Sequence, residues 1–409
     1  MRQPLVITPQ NAATALADLP RMARLAFRYA CNLRRGTLDV SLPDGRTIRL
    51  GGMEAGPAAA MTVHSFGFAR RLLSSGDIGI AEAYLRREWD TPDLTTFLYL
   101  FCINYELFQA MLSSKPLVRL VQSVRHWFKR NTRGQARRNI HAHYDIGNAF
   151  YSAWLDPSMT YSSALFEDGT NDLTAAQHNK YRRLAEAIHI GPDHSVLEIG
   201  CGWGGFAEYV AKNFGARVVG LTISREQYDF ARRRMHEAGL AERVEIRFQD
   251  YRDERSQYDR IASIEMIEAV GEQFWPRYFA QLSDRLRPGG FAGIQAITIQ
   301  DRFFEEYRRE VDFIQRYIFP GGMLPSPAVL KSLGERFGIP VIRERIFGLD
   351  YARTLAAWRE SFHASWPKLT SLGFDERFRR LWEYYLAYCE AGFRSGNIDV
   401  RQVIFAKAG

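Results

Sequence analysis

Apolar residues recur along the chain first at helical and then at strand spacing, and the changes between the two mark out its parts. Leu19, Met22, Leu25, Ala26, Tyr29 and Leu33 repeat at helical intervals among Arg21, Arg24, Arg28, Arg34 and Arg35. Residues 37–42 and 46–50 then alternate on either side of Pro43-Asp44-Gly45, which predicts a β-hairpin closed by an Asp-Gly turn. Helical patterns continue to about Leu112. Between Pro116 and Arg138 an apolar stripe of Leu117, Leu120, Val121, Val124, Trp127 and Phe128 is ringed by Arg119, Arg125, Lys129, Arg130, Arg133, Arg137 and Arg138. Such a segment is either a linker helix that packs its stripe on the protein or a helix that lies on an anionic membrane surface.

From about Asp193 the pattern changes to short β-branched runs alternating with helices. The predicted strands are 195–199, 217–221, 244–248, 260–264 and 291–297, with helices such as 225–238 and 274–286 between them. Strict alternation implies a parallel sheet with right-handed crossovers. A helical insertion near 301–317 follows, then two further strands at 341–347 and 400–406, giving a doubly wound α/β sheet of seven strands. The expected division is an N-terminal domain over 1–115, mostly helical with a β-hairpin, a basic amphipathic linker over 116–140, and the α/β domain over 141–409.

Composition narrows the class. A chain of 409 residues is long enough for two cores, and no run of about 18 uncharged apolar residues could span a bilayer. The start, Met1-Arg-Gln-Pro-Leu-Val, lacks the basic-then-apolar order of a secretory signal, so a cytoplasmic location is expected. Cys31, Cys102, Cys201 and Cys389 are scattered without a CxxC pair, which argues against a disulfide framework and structural zinc. His141 and His143 form an HxH without a third ligand at metal spacing, so no metal is expected. A formal net charge of +8 favours an anionic partner. Charge alone does not separate nucleic acid from lipid headgroups, but no nucleic-acid fold signature is present.

The chemistry concentrates at the ends of the first three strands of the α/β region. The first runs into Glu198-Ile-Gly200-Cys-Gly202-Trp-Gly204, where glycines let the backbone approach a ligand as the strand turns into a helix N-terminus. The spacing is GxGxG, not the GxGxxG of dinucleotide sites, and Glu198 would repel a pyrophosphate. A sulfonium cofactor with an amino group tolerates that charge. The second strand ends at Leu221-Thr222-Ile-Ser224, with no acid for a ribose 2′-hydroxyl; Thr222, Ser224 and Gln227 supply polar groups instead. After the third come Gln249, Asp250 and Tyr251, a carboxylate to accept adenine amino hydrogens and a ring to stack. Together these point to S-adenosylmethionine and the class I methyltransferase, Rossmann-like version of the fold.

From about His141 to the C-terminus the chain resembles the cyclopropane fatty acid synthase and mycolic acid cyclopropane synthase family. The resemblance rests on His143-Tyr-Asp-Ile-Gly-Asn148, Asp156-Pro-Ser-Met-Thr-Tyr-Ser162, the 198–204 turn, and Val219-Gly-Leu-Thr-Ile-Ser224 with Gln227. Ile318-Phe-Pro-Gly-Gly322, Leu324-Pro-Ser326, Tyr351, Cys389 and Phe393-Arg394 extend it. It covers roughly two-thirds of the chain, and the N-terminal hairpin is similar to the extra domain of longer bacterial synthases. The resemblance implies methyl transfer to the double bond of an unsaturated acyl chain, usually within a phospholipid. It also implies peripheral contact with the inner face of the membrane and a homodimer. It places Tyr161 and Ser162 at the amino-acid end of the cofactor and residues 250–252 near its adenosine. It further implies a bound bicarbonate as base, held by a Glu, a His and a Tyr, and a cysteine at the position of Cys389.

Glu268 and Tyr351 match that bicarbonate pocket, but the family His is Gln295 here, Tyr-Ser-Cys-Ala reads Tyr161-Ser-Ser163-Ala, and Phe-Glu-His reads Ile267-Glu268-Ala269. Glu265 stands where the family has Gly. Glutamine can donate a hydrogen bond but carries no positive charge to retain an anion. The expectation is that bicarbonate is weakened or lost, that Glu265 and Glu268 include the base, and that the product is a methyl-branched or methylene chain. The alternatives are a conventional cyclopropane synthase in which these departures are neutral, a small-molecule methyltransferase, and a non-catalytic lipid-binding relative.

Overall fold

The computed structural model describes residues 3–107, 146–167 and 169–409. The predicted linker helix, His141 and His143 lie outside them. Two compact units form. The first gathers the described residues before Phe128 together with Arg309–Arg316 and Phe374–Asn397, and the second contains the remainder.

The first unit is built on a five-stranded sheet of order β1-β3-β2-β4-β5: β1 (Leu5–Ile7), β2 (Arg35–Ser41), β3 (Thr47–Gly51), β4 (Glu54–Val63) and β5 (Trp89–Asp90). The predicted hairpin is β2 with β3, paired Leu38↔Leu50 and Val40↔Ile48. Those four side chains are buried, whereas Asp39 and Arg49 pair at 2.6 Å. The expected hairpin is extended into a larger sheet by β4, which runs parallel to β2 with Ala59 opposite Leu38. Its Ala-Gly-Pro-Ala-Ala-Ala run has little intrinsic strand preference. Pairing along the sheet, with Ala59, Met61 and Val63 buried at every second position, overrides it.

The expected division of the chain is changed at its C-terminal end. The helix Glu376–Ser395 belongs to the first unit. Its Tyr384 ring lies 5.6 Å from that of Tyr84, and Thr95 donates to the buried Glu390 carboxylate at 3.0 Å. An apolar helix face of Trp382, Tyr384, Tyr385 and Leu386 is buried wherever a complementary surface exists, whatever the sequence separation.

The second unit holds the predicted seven-stranded sheet: β6 (Ser195–Ile199), β7 (Arg217–Thr222), β8 (Val244–Phe248), β9 (Tyr258–Ile264), β10 (Leu286–Ile299), β11 (Val341–Ile346) and β12 (Ile398–Ala406). The order is β11-β12-β10-β9-β6-β7-β8, with β12 antiparallel to both neighbours and β6 to β10 mutually parallel. Both faces are covered. Leu197, Ile261 and Ile294 pack with Tyr278, Phe279 and Leu282 of the helix Trp275–Arg285. On the other face Val196, Val218 and Ala262 pack with Tyr181 and Leu184 of the helix Leu173–Ala187 and Phe206 of Gly205–Phe214. Burial on both sides is why these strands read as apolar runs. Strand order reverses between β6 and β9, which opens a crevice beyond their C-terminal ends. Among the described residues no helix is long and apolar enough to cross a membrane.

On β10, a Cβ at Gly293 would lie 2.6 Å from Leu184 Cδ1 and 2.8 Å from Ile188 Cγ2. Gly293→Val is therefore expected to destabilise the second unit by about 1–3 kcal/mol through overpacking. A lowered urea midpoint would show this; an unchanged one would mean that the helix gives way freely.

Candidate active site

The crevice contains a cavity of about 180 Å³ walled by the exits of β6, β7, β8 and β9 and by residues 159–162. At the β6 exit, Gly200 and Gly202 adopt φ of +80° and +53°, and a side chain at Gly200 would strike Met266 at 2.8 Å. Both open the turn so that backbone lines the cavity. The N–H groups of Gly200 and Cys201 donate to Leu221 O at 3.0 and 2.9 Å, which pins the turn to β7. Thr222 Oγ1 donates to Gln227 Oε1 at 2.9 Å, so both are held at the cavity edge. After β8, Asp250 accepts two bonds from Arg252, at 2.8 and 2.5 Å, and both line the wall beside Gln249 and Tyr251.

Glu198 is buried at the end of β6 and lines the cavity. Burial pushes its carboxyl up to about 8, opposed by a bond from the Ala207 N–H and by the Lys180 and Arg234 charges. Its Oε2 has no hydrogen-bond partner. A buried, unpartnered carboxyl oxygen on a residue of the cavity wall can be answered by a cationic donor from a ligand. The amino group and sulfonium of S-adenosylmethionine fit that requirement. Tyr161, also in the wall, is set by an aromatic cluster, 5.3 Å from both Tyr151 and Trp358 and 5.7 Å from Trp154.

The exit of β9 carries the second set of acids. Glu265 sits at φ +48°, the left-handed region that favours glycine. Its carboxylate lines the cavity and is clasped by three donors: Tyr351 Oη at 2.6 Å to Oε2, and Gln295 Nε2 and Ser163 N, both at 2.8 Å, to Oε1. Burial raises its pKa, while Tyr351, Lys180, Ser163 and Gln295 draw it back. Glu268 accepts from Ile297 N at 2.5 Å through Oε1, and its buried Oε2 has no hydrogen-bond partner. Burial and the neighbouring Glu265 push its carboxyl up to about 8.

Of the expected cofactor residues, Tyr161, Ser162, Glu198, Gly200, Gly202, Thr222, Gln227, Gln249, Asp250 and Tyr251 line this one cavity. Gly204 and Ser224 stand behind it. Gly204 caps the helix Gly205–Phe214 at φ +83°, and a Cβ there would meet Met235 Cε at 3.0 Å. Ser224 caps the helix Arg225–Glu237 through Oγ. Gln295 and Tyr351 reach the wall through Glu265. Cys389 does not join them: it lies on the helix Glu376–Ser395 of the first unit, where burial and then Asp312 push its thiol well up, against the thiolate a nucleophile needs. Sequence reasoning missed Lys180 and Gln402. Neither belongs to a glycine turn or a strand-end acid pattern, and a lysine at 0% exposure leaves no mark in a single sequence.

With this geometry in place, similarity to known proteins is decisive. The model of the mycolic acid cyclopropane synthetase family matches residues 131–403. The chain belongs to that family. It is 42% identical over 350 residues to a tuberculostearic acid methyltransferase of Mycobacterium tuberculosis, covering 83% of this chain and 81% of the relative. It is 35% identical over 391 residues to the cyclopropane-fatty-acyl-phospholipid synthase of Escherichia coli K12, covering 90% and 96%. Among solved structures, the mycolic acid cyclopropane synthase CmaA1 in complex with SAH and CTAB superposes with a TM-score of 0.62 at 28% identity, covering 66% of this chain and 98% of that one. The protein is thus an S-adenosylmethionine-dependent methyltransferase of this family, with the class I fold expected from its strand pattern.

Glu198→Gln keeps the shape of the wall but removes the carboxyl that can ionise against a bound cation. It is expected to weaken S-adenosylmethionine binding about tenfold or more, or about 1.4 kcal/mol, in calorimetric titration. Unchanged affinity would remove Glu198 from the cofactor site.

Proposed function

We propose that this enzyme methylates the double bond of an unsaturated acyl chain within a phospholipid and releases an open methylated chain, a methyl branch or a methylene, in place of a ring. The observation that carries this reading is the Glu265 clasp. Tyr351, Gln295 and the Ser163 N–H, the donors available to a separate anion, are all committed to a carboxylate of the chain itself. Bicarbonate does not fit such a site, and no step is assigned to it.

The cofactor, when bound, supplies an electrophilic methyl group. An alkene is a weak nucleophile, so the cavity wall must hold the two in line. The alkene π pair forms the new carbon–carbon bond as the carbon–sulfur pair returns to sulfur, and positive charge is left on the chain. Carboxylates and aromatic faces lower the cost of that charge in a site removed from water. Glu265 then accepts a proton, and the electron pair of the broken C–H bond becomes the new double bond. Loss of the proton from a neighbouring chain carbon leaves a methyl-branched alkene and loss from the new methyl leaves a methylene, whereas a ring forms when that methyl C–H pair closes a carbon–carbon single bond instead. Glu268, kept towards its protonated form by burial and then by Glu265, is less suited to accept that proton.

The similarity to a tuberculostearic acid methyltransferase supports a methylated acyl chain as product. The full-length similarity to the Escherichia coli synthase supports the alternative of an ordinary cyclopropane product. The net charge of +8 supports peripheral contact with an anionic membrane, which we place at its inner face in the cytoplasm. A homodimer is carried over from the family resemblance.

Incubation with methyl-deuterated cofactor separates the products by mass spectrometry of the lipids. Label in an open branch, three deuteriums, or in a methylene is the expected outcome; two deuteriums in a ring would overturn the reading. Glu265→Gln is expected to lower turnover about 100-fold or more, as loss of a general base does. Depleting bicarbonate should leave the wild-type rate unchanged.

A further inference from the structure

Lys180 is fully buried on the helix Leu173–Ala187 and reaches the cavity wall through Ser162. Two hydrogen-bonded routes join it to the Glu265 clasp. Its Nζ donates to Ser162 Oγ at 2.6 Å, and the next residue, Ser163, gives its N–H to Glu265. Its carbonyl accepts from Gln402 Nε2 at 3.1 Å, and the same amide donates at 3.2 Å to Gln295 Oε1, whose Nε2 holds Glu265. Gln177 fixes the Ser162 carbonyl at 2.9 Å from the same helix. The charges that act on Lys180 are Glu265, Asp156 and Glu198, and its Nζ lies 4.5 Å from the Tyr181 ring centroid. Around Glu265 the other groups are Tyr351 and Glu268.

A lysine withdrawn from water in this way costs several kcal/mol unless it answers an opposite charge. A carboxylate in the same wall would take a proton from water before any substrate arrived, and so could not serve as a base. We propose that Lys180 is a positioning residue for proton removal: its ammonium is the counter-charge that keeps Glu265 ionised, and its bond to Ser162 holds the segment that clasps Glu265. This rests on Glu265 being the base, as argued above. Desolvation lowers the lysine to about 7 and raises the glutamate, and the attraction of each for the other opposes both shifts.

The variants that test it are Lys180→Met, Lys180→Gln, which can still donate to Ser162, each of these combined with Glu265→Gln, and Glu265→Gln alone. In single-turnover methyl transfer, loss of the lysine charge should move the acid limb of the pH profile upward by about one unit or more. Near neutral pH that is about a tenfold loss, recovered as the pH is raised. A merely structural role would lower the rate at every pH and leave the limb where it is; that outcome overturns the proposal. Urea denaturation gives a second readout that does not depend on activity. Lys180→Met should lower the midpoint, and adding Glu265→Gln should restore most of it, because the uncompensated carboxylate is gone. If Lys180→Met does not fold, the double variant must; a double variant no more stable than the single overturns the proposal. Full activity in Glu265→Gln alone would instead refute Glu265 as base, while the denaturation cycle would still report whether the two groups are coupled.

Discussion

A carboxylate taken out of water has to be answered by donors or by an opposite charge, and the active site of this methyltransferase is organised around that requirement. Glu198, Glu265 and Glu268 stand at the ends of neighbouring strands β6 and β9, with the buried Lys180 beside them. Each is answered differently. Glu265 has three donors from within the chain, Glu268 accepts from the Ile297 N–H, and Glu198, in the cavity wall, keeps one buried oxygen without a hydrogen-bond partner. The first arrangement suits a group that must be present before substrate; the last suits a group that waits for a cation.

The fold supplies the place for this chemistry by ordinary means. Parallel strands that reverse order between β6 and β9 leave a crevice at their C-terminal ends, and glycines at 200 and 202 let backbone approach a ligand there. At 265 the backbone takes the same left-handed conformation that a glycine would accept without strain. A glutamate held there stores strain of order 1–3 kcal/mol, which the surrounding clasp must offset. Strain retained at a cavity wall is consistent with a side chain kept for its chemistry and not for its fit to the backbone.

The first unit shows a different constraint. Residues 309–316 and the helix Glu376–Ser395 leave the α/β sequence to complete its core. Among them Asp77 receives the Phe313 N–H at 3.3 Å, and the rings of Phe313 and Tyr384 meet at 4.8 Å. A unit of modest size thereby buries more apolar surface than its own N-terminal residues provide.

Local chemistry made much of this legible in the chain itself. β6 and β8 have the bounds that their β-branched runs predicted, and ten of the twelve expected cofactor residues line one cavity, because a glycine turn and strand-end polar groups are short-range patterns. β4 was hidden in a helical-looking stretch, since a strand of alanines is decided by the neighbour it pairs with. Gly204 and Ser224 share the motif but serve helix ends, a distinction that depends on where a helix starts. The sequence by itself determined the cofactor turn and the presence of an acid at 265. Only the tertiary structure decided what that acid does: Ser163, Gln295, Tyr351 and Lys180 come from four distant segments, and the contacts that orient and charge a buried carboxylate exist only once those segments have packed.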